Sequence, residues 1–490
     1  MLHNAVLFIS LVSRILISHQ ACESHPDFYD ECENPFPSGC CTLGTAFICN
    51  GANLTDVNHF ADEIPQTCTS LTVANTNGSF INNGDWKFLS NLTNLEELSF
   101  FSQKMSHLWD LKPFYLKDLV KLKVLTLAYG DLHKFPVEKF TNLMSLMYLN
   151  LRCNKFQSIG EGNWNFSSLN TLVLTENRIT QVTSEQFRNL DNLSTLDLSH
   201  NRIYFFSLKV LDSMPNLKHV KLSFNRLTHV SDYRLQHVNV KTFTLNSNLF
   251  ASLEPFVFNG LKSLQNIDYR NNSIKEPPMI NSQNSVPSAL RLSLQFNVIE
   301  ILSPQFFDNF PHLKNINVAD NRIRHIEEDA FRSVPNLTVI NMRINEIDTI
   351  PRQLFQHLGN LVIVELQFNR IQVLDVHVLT PLPRYVKIYI HDNPIVCDCQ
   401  VIPLAKWLSL SATPLNNFPT CQSPEDLQNQ NIYYAKLPQD CPHSTQKPVT
   451  TSIIPTSYPE THTNHYILGL VIGALTLVMF ISLIYFSIGL

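Results

Sequence analysis

Leu193-Ser-Thr-Leu196-Asp-Leu198-Ser-His-Asn201 decides the fold of this chain. Leu196 and Leu198 stand two residues apart, so on an extended backbone they point to the same side, while Thr195, Asp197 and Ser199 point to the other. The stretch therefore predicts a short, half-buried strand with leucine inside and polar residues outside. A strand this short cannot bury its apolar face alone. It needs a second copy stacked against it. Asn201 closes the unit at a residue type that suits a turn, because its amide can bond nearby backbone.

The copies are present. The pattern L-x-x-L-x-L-x-x-N recurs thirteen times, ending at Gln103, Gly130, Asn154, Asn177, Asn201, Asn225, Asn248, Asn272, Asn297, Asn321, Asn345, Asn369 and Asn393. Apart from the first interval of 27, these positions lie 23 to 25 residues apart. A single period held over nearly 300 residues is the mark of a repeat architecture, with each unit stacked on its neighbours. Stacked Asn residues would form a ladder along one edge. A second apolar set, Phe140-x-x-Leu143, Phe166-x-x-Leu169, Phe187-x-x-Leu190, Phe258-x-x-Leu261 and Phe355-x-x-Leu358, fills the return leg and accounts for much of the phenylalanine content. An earlier, weaker strand is predicted at Leu71-Thr-Val73.

On these residues the chain resembles the extracellular leucine-rich repeat family in its 24-residue form, as found in Toll-like receptor ectodomains, chaoptin, connectin and the small leucine-rich proteoglycans. The resemblance covers about residues 30–441. It implies an α/β leucine-rich repeat solenoid, a curved horseshoe with a parallel β-sheet on its inner face and disulfide-capped ends.

Cysteine usage agrees with export. Six cysteines (Cys22, Cys32, Cys40, Cys41, Cys49, Cys68) precede the repeats, four (Cys397, Cys399, Cys421, Cys441) follow them, and Cys153 stands alone. Even clusters at the two ends make physical sense, because each terminal repeat has one face without a neighbour. Cys153, outside both clusters, is expected to be a free thiol. The segment Asn393-Pro-Ile-Val-Cys-Asp-Cys399, followed by Leu404-Ala-Lys-Trp-Leu408, Cys421 and Cys441, resembles the family's C-terminal cap. That resemblance implies Cys397–Cys421 and Cys399–Cys441 bonds. The N-terminal cluster resembles the family's other cap loosely, since Cys40 and Cys41 are adjacent and Cys22 and Cys32 are additional. Disulfides are expected there among Cys32, Cys40, Cys41, Cys49 and Cys68, with the pairing open. Neither cluster has the paired C-x-x-C or Cys/His spacing of a zinc site, and no metal or cofactor is expected.

The predicted organisation is a signal peptide at 1–21, a cysteine-rich cap at 22–70, repeats at 71–393, a second cap at 394–441, a stalk at 442–465 and an apolar segment at 466–490. The start is apolar and too short for a stable span, apart from Arg14 within it, with cleavage near Ser18 or Ala21. Pro442–His465 holds six Thr, three Ser and four Pro in 24 residues and reads as an extended stalk. Ile467–Leu490 carries no charge. As a helix it is roughly 36 Å long, enough for a ~30 Å hydrocarbon layer. A single-pass helix and a lipid-anchor signal both fit this tail. Sequons at Asn53, Asn77, Asn91, Asn165, Asn192, Asn271 and Asn336 agree with passage through the secretory pathway.

Thirty-six basic against 41 acidic residues, without a long run of either, do not suggest nucleic acid. No nucleophile elbow, zinc-protease, P-loop or dinucleotide motif is present, so an enzyme is not expected. The inner face is the candidate site. Its outward positions include Asp197, Lys221, Asp268, Arg270, Arg291, Asn317, Arg343, Glu365, Lys387 and Tyr389, with Tyr129, Phe224, Phe296 and Phe368 beside the ladder. Mixed charges with interspersed aromatics suit a protein-binding surface. The expected function is a membrane-anchored cell-surface glycoprotein that binds an extracellular protein or a partner surface protein, as adhesion molecule or co-receptor. The alternatives are a Toll-type innate immune receptor ectodomain and a lipid-anchored adhesion protein. A homodimer is open.

Overall fold

A computed structural model describes residues 40–438 and Cys441, apart from 44–45, 51–61, 75–86, 102–115, 117, 136, 141, 161–163, 165, 185, 231–238, 254–257, 259–260, 278–285 and 287. The predicted signal, stalk and apolar tail, Cys22, Cys32, and sequons Asn53, Asn77 and Asn165 lie outside the described residues. Among those that are described, no helix is long and apolar enough to cross a membrane.

Sixteen strands form one sheet, almost entirely in sequence order. The first two, Cys40–Leu43 and Ala46–Asn50, are an antiparallel hairpin with Cys40 opposite Cys49. From Ala46–Asn50 onward every neighbour is parallel: Ser70–Ala74, Glu97–Phe101, Val124–Ala128, Tyr148–Asn150, Thr171–Val173, Thr195–Asp197, and so on to Lys387–Tyr389. The weak strand expected at Leu71-Thr-Val73 is therefore real. Register is strict, with Thr195, Leu196 and Asp197 facing His219, Val220 and Lys221. Leu196 and Leu198 are fully buried, as the alternation requires. The return-leg pairs from Phe140 and Leu143 to Phe355 and Leu358 are buried in the same continuous core, which runs from Phe47 to Ile432. This is a parallel solenoid in which each turn supplies one strand to the large sheet, while some turns add a two-residue strand to a separate parallel pair.

The ladder has a specific wiring. Asn201 Nδ2 donates to Leu198 O of its own turn at 3.1 Å and to Leu174 O of the preceding turn at 2.9 Å. Its Oδ1 accepts the Ile179 N–H at 3.0 Å. The same three bonds recur at Asn225, Asn272, Asn297, Asn321, Asn345 and Asn393. Each sixth-position carbonyl thereby accepts from two asparagines, its own and the next. The residue before the ladder position has positive φ, between 53° and 59°, at Tyr129, Cys153, Glu176, His200, Phe224, Ser247, Asn271, Phe296, Asp320, Ile344, Phe368 and Asp392. This left-handed residue turns the chain out of the strand and aims its own side chain off the ladder. Ile344 is β-branched, the type least suited to that region.

The C-terminal end is closed by the helix Val401–Ser409, which buries Leu404, Trp407 and Leu408. Cys397 is bonded to Cys421. Cys399 and Cys441 are each in a disulfide as well. Two cysteine expectations are corrected. Cys153 is not a free thiol; it is disulfide-bonded and buried with Ala128 and Tyr129 in a small cluster against Phe101, apart from the main core. Cys68, expected in a disulfide, is instead free and buried, with its thiol donating to Ser70 O at 3.2 Å. Burial pushes that thiol's pKa up. Both corrections have one cause: sequence position groups Cys68 with the N-terminal cysteines and isolates Cys153, whereas bonding depends on which sulfurs meet in space.

Candidate functional site

The outward residues of the sheet fall into rows, because the strands are in register. One row reads Ser293, Asn317, Asn341, Glu365, Tyr389 and a second Arg291, Asn315, Val339, Ile363, Lys387. The structure sorts the sequence-predicted residues into two groups.

In the first group the charges satisfy one another. Lys221 Nζ lies 3.1 Å from Asp197 Oδ2. Arg270 makes two bonds to Asp268, Nε to Oδ1 at 2.9 Å and Nη2 to Oδ2 at 2.7 Å, and this carboxylate raises the guanidinium pKa. The two aspartates also serve the backbone. Asp197 Oδ1 accepts the Ser199 N–H and Asp268 Oδ1 the Arg270 N–H, both at 3.1 Å. Asn150, Asn317 and Asn341 do the same two residues ahead. Fifth-position Asp or Asn is thus a device for ending the strand. Sequence reasoning ranked these residues by charge, and periodicity alone does not separate a capping carboxylate from a free one.

The second group lies over the last five turns. Arg291 Nη1 donates to Asn266 Oδ1 at 3.0 Å on an exposed surface. Arg343 buries its Nε without a partner. Beside it Asp320 has its carboxyl pKa pushed up by burial, with the Arg343 charge opposing that rise. Glu365 and Tyr389 face each other across adjacent strands, and Lys387 is exposed. Gln367 is nine-tenths buried with Oε1 unpartnered. Along the same edge the left-handed positions present apolar side chains: Phe296 and Phe368 are each 51% exposed and Ile344 42%. The sequence pointed to Phe296 and Phe368 but not to Ile344, whose repeat looks ordinary until the eighth position is seen to face outward. Phe224 is less available, since it stacks on His200 with centroids 4.2 Å apart and planes at 11°. Tyr129 is buried, with Arg152 over its ring at 4.8 Å. Among the described residues no group of three or more His, Cys, Asp or Glu could hold a metal ion.

Two of the described sequons lie away from the strands and two lie close to the second group. Asn91 and Asn192 are exposed away from the strands. Asn336 lines a shallow depression of about 550 Å³ on the approach to the strands, with His312, Lys314 and Tyr385. Asn271 sits at a left-handed position with its amide donating to Ser247 Oγ at 3.0 Å.

A leucine rich repeat profile matches residues 167–227, 287–347 and 335–395, and a BspA type leucine rich repeat region matches 203–285. The chain is a leucine-rich repeat solenoid. Its solved likenesses include a leucine-rich repeat protein of Leptospira interrogans, at 19% identity and TM-score 0.50 over 71% of this chain and 90% of that one. The Drosophila Toll–Spatzle complex is similar at 15% identity and TM-score 0.50, over 80% of this chain and 71% of that one. At such identities the likeness speaks for the repeat fold. Within that fold, the second group combines exposed Lys387 with exposed Phe296, Ile344 and Phe368 along one stretch of the sheet.

Proposed function

We propose that this leucine-rich repeat chain is a membrane-anchored extracellular glycoprotein that binds a protein ligand or a partner cell-surface protein on its inner face, centred on Arg291, Arg343, Glu365, Lys387 and Tyr389. The observation that carries this reading is the pairing of these residues with exposed Phe296, Ile344 and Phe368 at the adjoining edge. Apolar anchors bordered by polar groups with spare hydrogen-bonding capacity are what a protein interface uses. Arrangement at the cell surface is supported by the apolar sequences at the two ends and by the sequons.

The test is a binding screen of the full-length chain displayed on cells against secreted and surface proteins, followed by variants. Phe368→Ala should weaken a captured partner at least tenfold, and Arg291→Glu or Lys387→Glu should slow association and alter its salt dependence. A partner indifferent to all three would overturn the placement. Release of the chain by a phosphatidylinositol-specific phospholipase would identify the lipid-anchor form, and retention the spanning helix.

A further inference from the structure

After the ladder asparagine the chain turns outward, and the next residue is Lys155, Arg178, Arg202 and Arg226 in four consecutive turns. Their backbones are stacked: the four N–H groups donate to Leu132 O, Phe156 O, Ile179 O and Ile203 O of the preceding turns at 2.8 to 2.9 Å. Neighbouring cations are therefore held about one strand spacing apart, and the row is roughly 14 Å long. The three arginines are exposed, and among the described residues none of the four has a carboxylate or other side-chain partner. The nearest acid on the inner side, Glu176, is turned to Cys153 and Arg152. Asp131 ends the row below and Leu249 ends it above. Farther along the edge the cations do not run in sequence: Arg322 stands alone, and Arg370 is neutralised by Glu346, which occupies that position one turn earlier, at 3.0 Å. Like charges stacked side by side repel one another, so an anion laid along the row is favoured over one at an isolated cation.

We infer that Lys155, Arg178, Arg202 and Arg226 form a docking strip for a linear sulfated polysaccharide, separate from the inner-face site. A linear polyanion matches a straight, evenly spaced row on an open edge, whereas a single phosphate group would need convergent donors. A nucleic acid strand would want aromatic faces beside the cations. The adjoining aromatics, His200 and Phe224, have their faces occupied by each other. The next residues outward, Thr180, Tyr204 and Thr228, carry hydroxyls suited to a sugar chain, although the Tyr204 hydroxyl also accepts from Gln181 Nε2, the Thr228 hydroxyl pairs with His229 Nδ1, and the Tyr204 ring is exposed. No sequon lies between the ladder and the return leg in these four turns, so attached glycans do not compete for the edge.

The experiment uses the purified full-length chain and a size-defined heparin dodecasaccharide, with binding measured across a salt series. Replacing the three arginines together, R178Q/R202Q/R226Q, should weaken binding at least tenfold and lower the slope of log Kd against log salt by about three, one for each cation removed. The matched triple on the opposite edge of the strands, K218Q/K241Q/K314Q, removes the same charge and should change affinity less than twofold. The variant R178K/R202K/R226K should retain most of the binding, which separates loss of charge from loss of fold. Absence of saturable binding near physiological salt, or equal loss in the two glutamine triples, would overturn the strip. A single-stranded RNA of equal charge that binds more tightly than the dodecasaccharide would overturn the choice of ligand.

Discussion

Replacing one ladder asparagine tests how the turns are joined. In Asn201→Ala, four backbone groups lose a partner, but unequally: Ser199 O, which accepts from Asn201 Nδ2 at 3.3 Å, still accepts from the Glu176 N–H at 3.1 Å. Leu198 O still accepts from Asn225 Nδ2 at 3.0 Å, and Leu174 O still accepts from Asn177 Nδ2 at 3.2 Å. Only the Ile179 N–H is left with nothing, because Asn201 Oδ1 was its acceptor. A buried donor left unmade costs about 1–3 kcal/mol, and each shared carbonyl gives up a bond worth about 1 kcal/mol net or less. The expected destabilisation is about 3 kcal/mol, concentrated on the turns either side of Asn201. Because a repeat array need not unfold in one step, the assay is hydrogen exchange read turn by turn rather than a single melting temperature. Exchange at Ile179 and its neighbours should accelerate roughly a hundredfold while turns beyond Asn321 stay unchanged. The companion Asn201→Asp should be worse at neutral pH, because a carboxylate would face two carbonyl oxygens. It should recover partly in acid as it is protonated. A loss below about 1 kcal/mol for the alanine variant, or an effect spread evenly over all turns, would refute the shared-carbonyl wiring.

Three further outcomes are expected. Ile344→Asn should stabilise the chain by about 1 kcal/mol, since Asn tolerates the left-handed conformation that a β-branched residue resists, and should weaken any partner of the inner edge; thermal denaturation and the binding assay read the two effects separately. The His200 pKa is lowered, chiefly by burial, so its neutral form is the stable one in the fold. That stabilisation is present above the ordinary histidine pKa of about 6.5 and is lost as pH falls below it; exchange around Phe224 should quicken through that window in the parent and hardly at all in His200→Phe. Alkylation of the denatured but unreduced protein should label Cys68 and leave Cys153 unmodified; label on Cys153 at full occupancy would contradict its bonded state.

How far the sequence foretold this can be followed residue by residue. The solenoid was legible because Leu196, Leu198 and Asn201 each report a local rule, and the rules repeat in step. The return-leg phenylalanines and the Cys397–Cys421 bond were legible for the same reason, the latter through the family likeness of the segment around Asn393. The fate of Cys153 and Cys68 was hidden, because one-dimensional spacing carries no information on which turns a sulfur bridges. The candidate site was half visible. Alternation placed Asp197, Asp268 and Arg270 on the outer surface correctly. It did not disclose that the aspartates hold the next N–H but one, or that Arg270 is already paired. Those facts depend on rotamers rather than on register. Ile344 escaped notice because hydrophobicity normally argues for the core, and only the positive φ of its position turns it outward.

That left-handed position has a consequence for how such a chain can change. The ladder on one side and the strand on the other hold the backbone through atoms that belong to neighbouring residues, so the turn does not depend on the identity of the side chain within it. Tyr, Cys, Glu, His, Phe, Ser, Asn, Asp and Ile all occupy it in this one molecule. Apart from Tyr129 and Cys153, which are packed together, the inner edge is therefore a column of letters mounted on a frame that reads them only weakly. A new specificity can be written there one turn at a time, at a local conformational cost and without re-folding the rest.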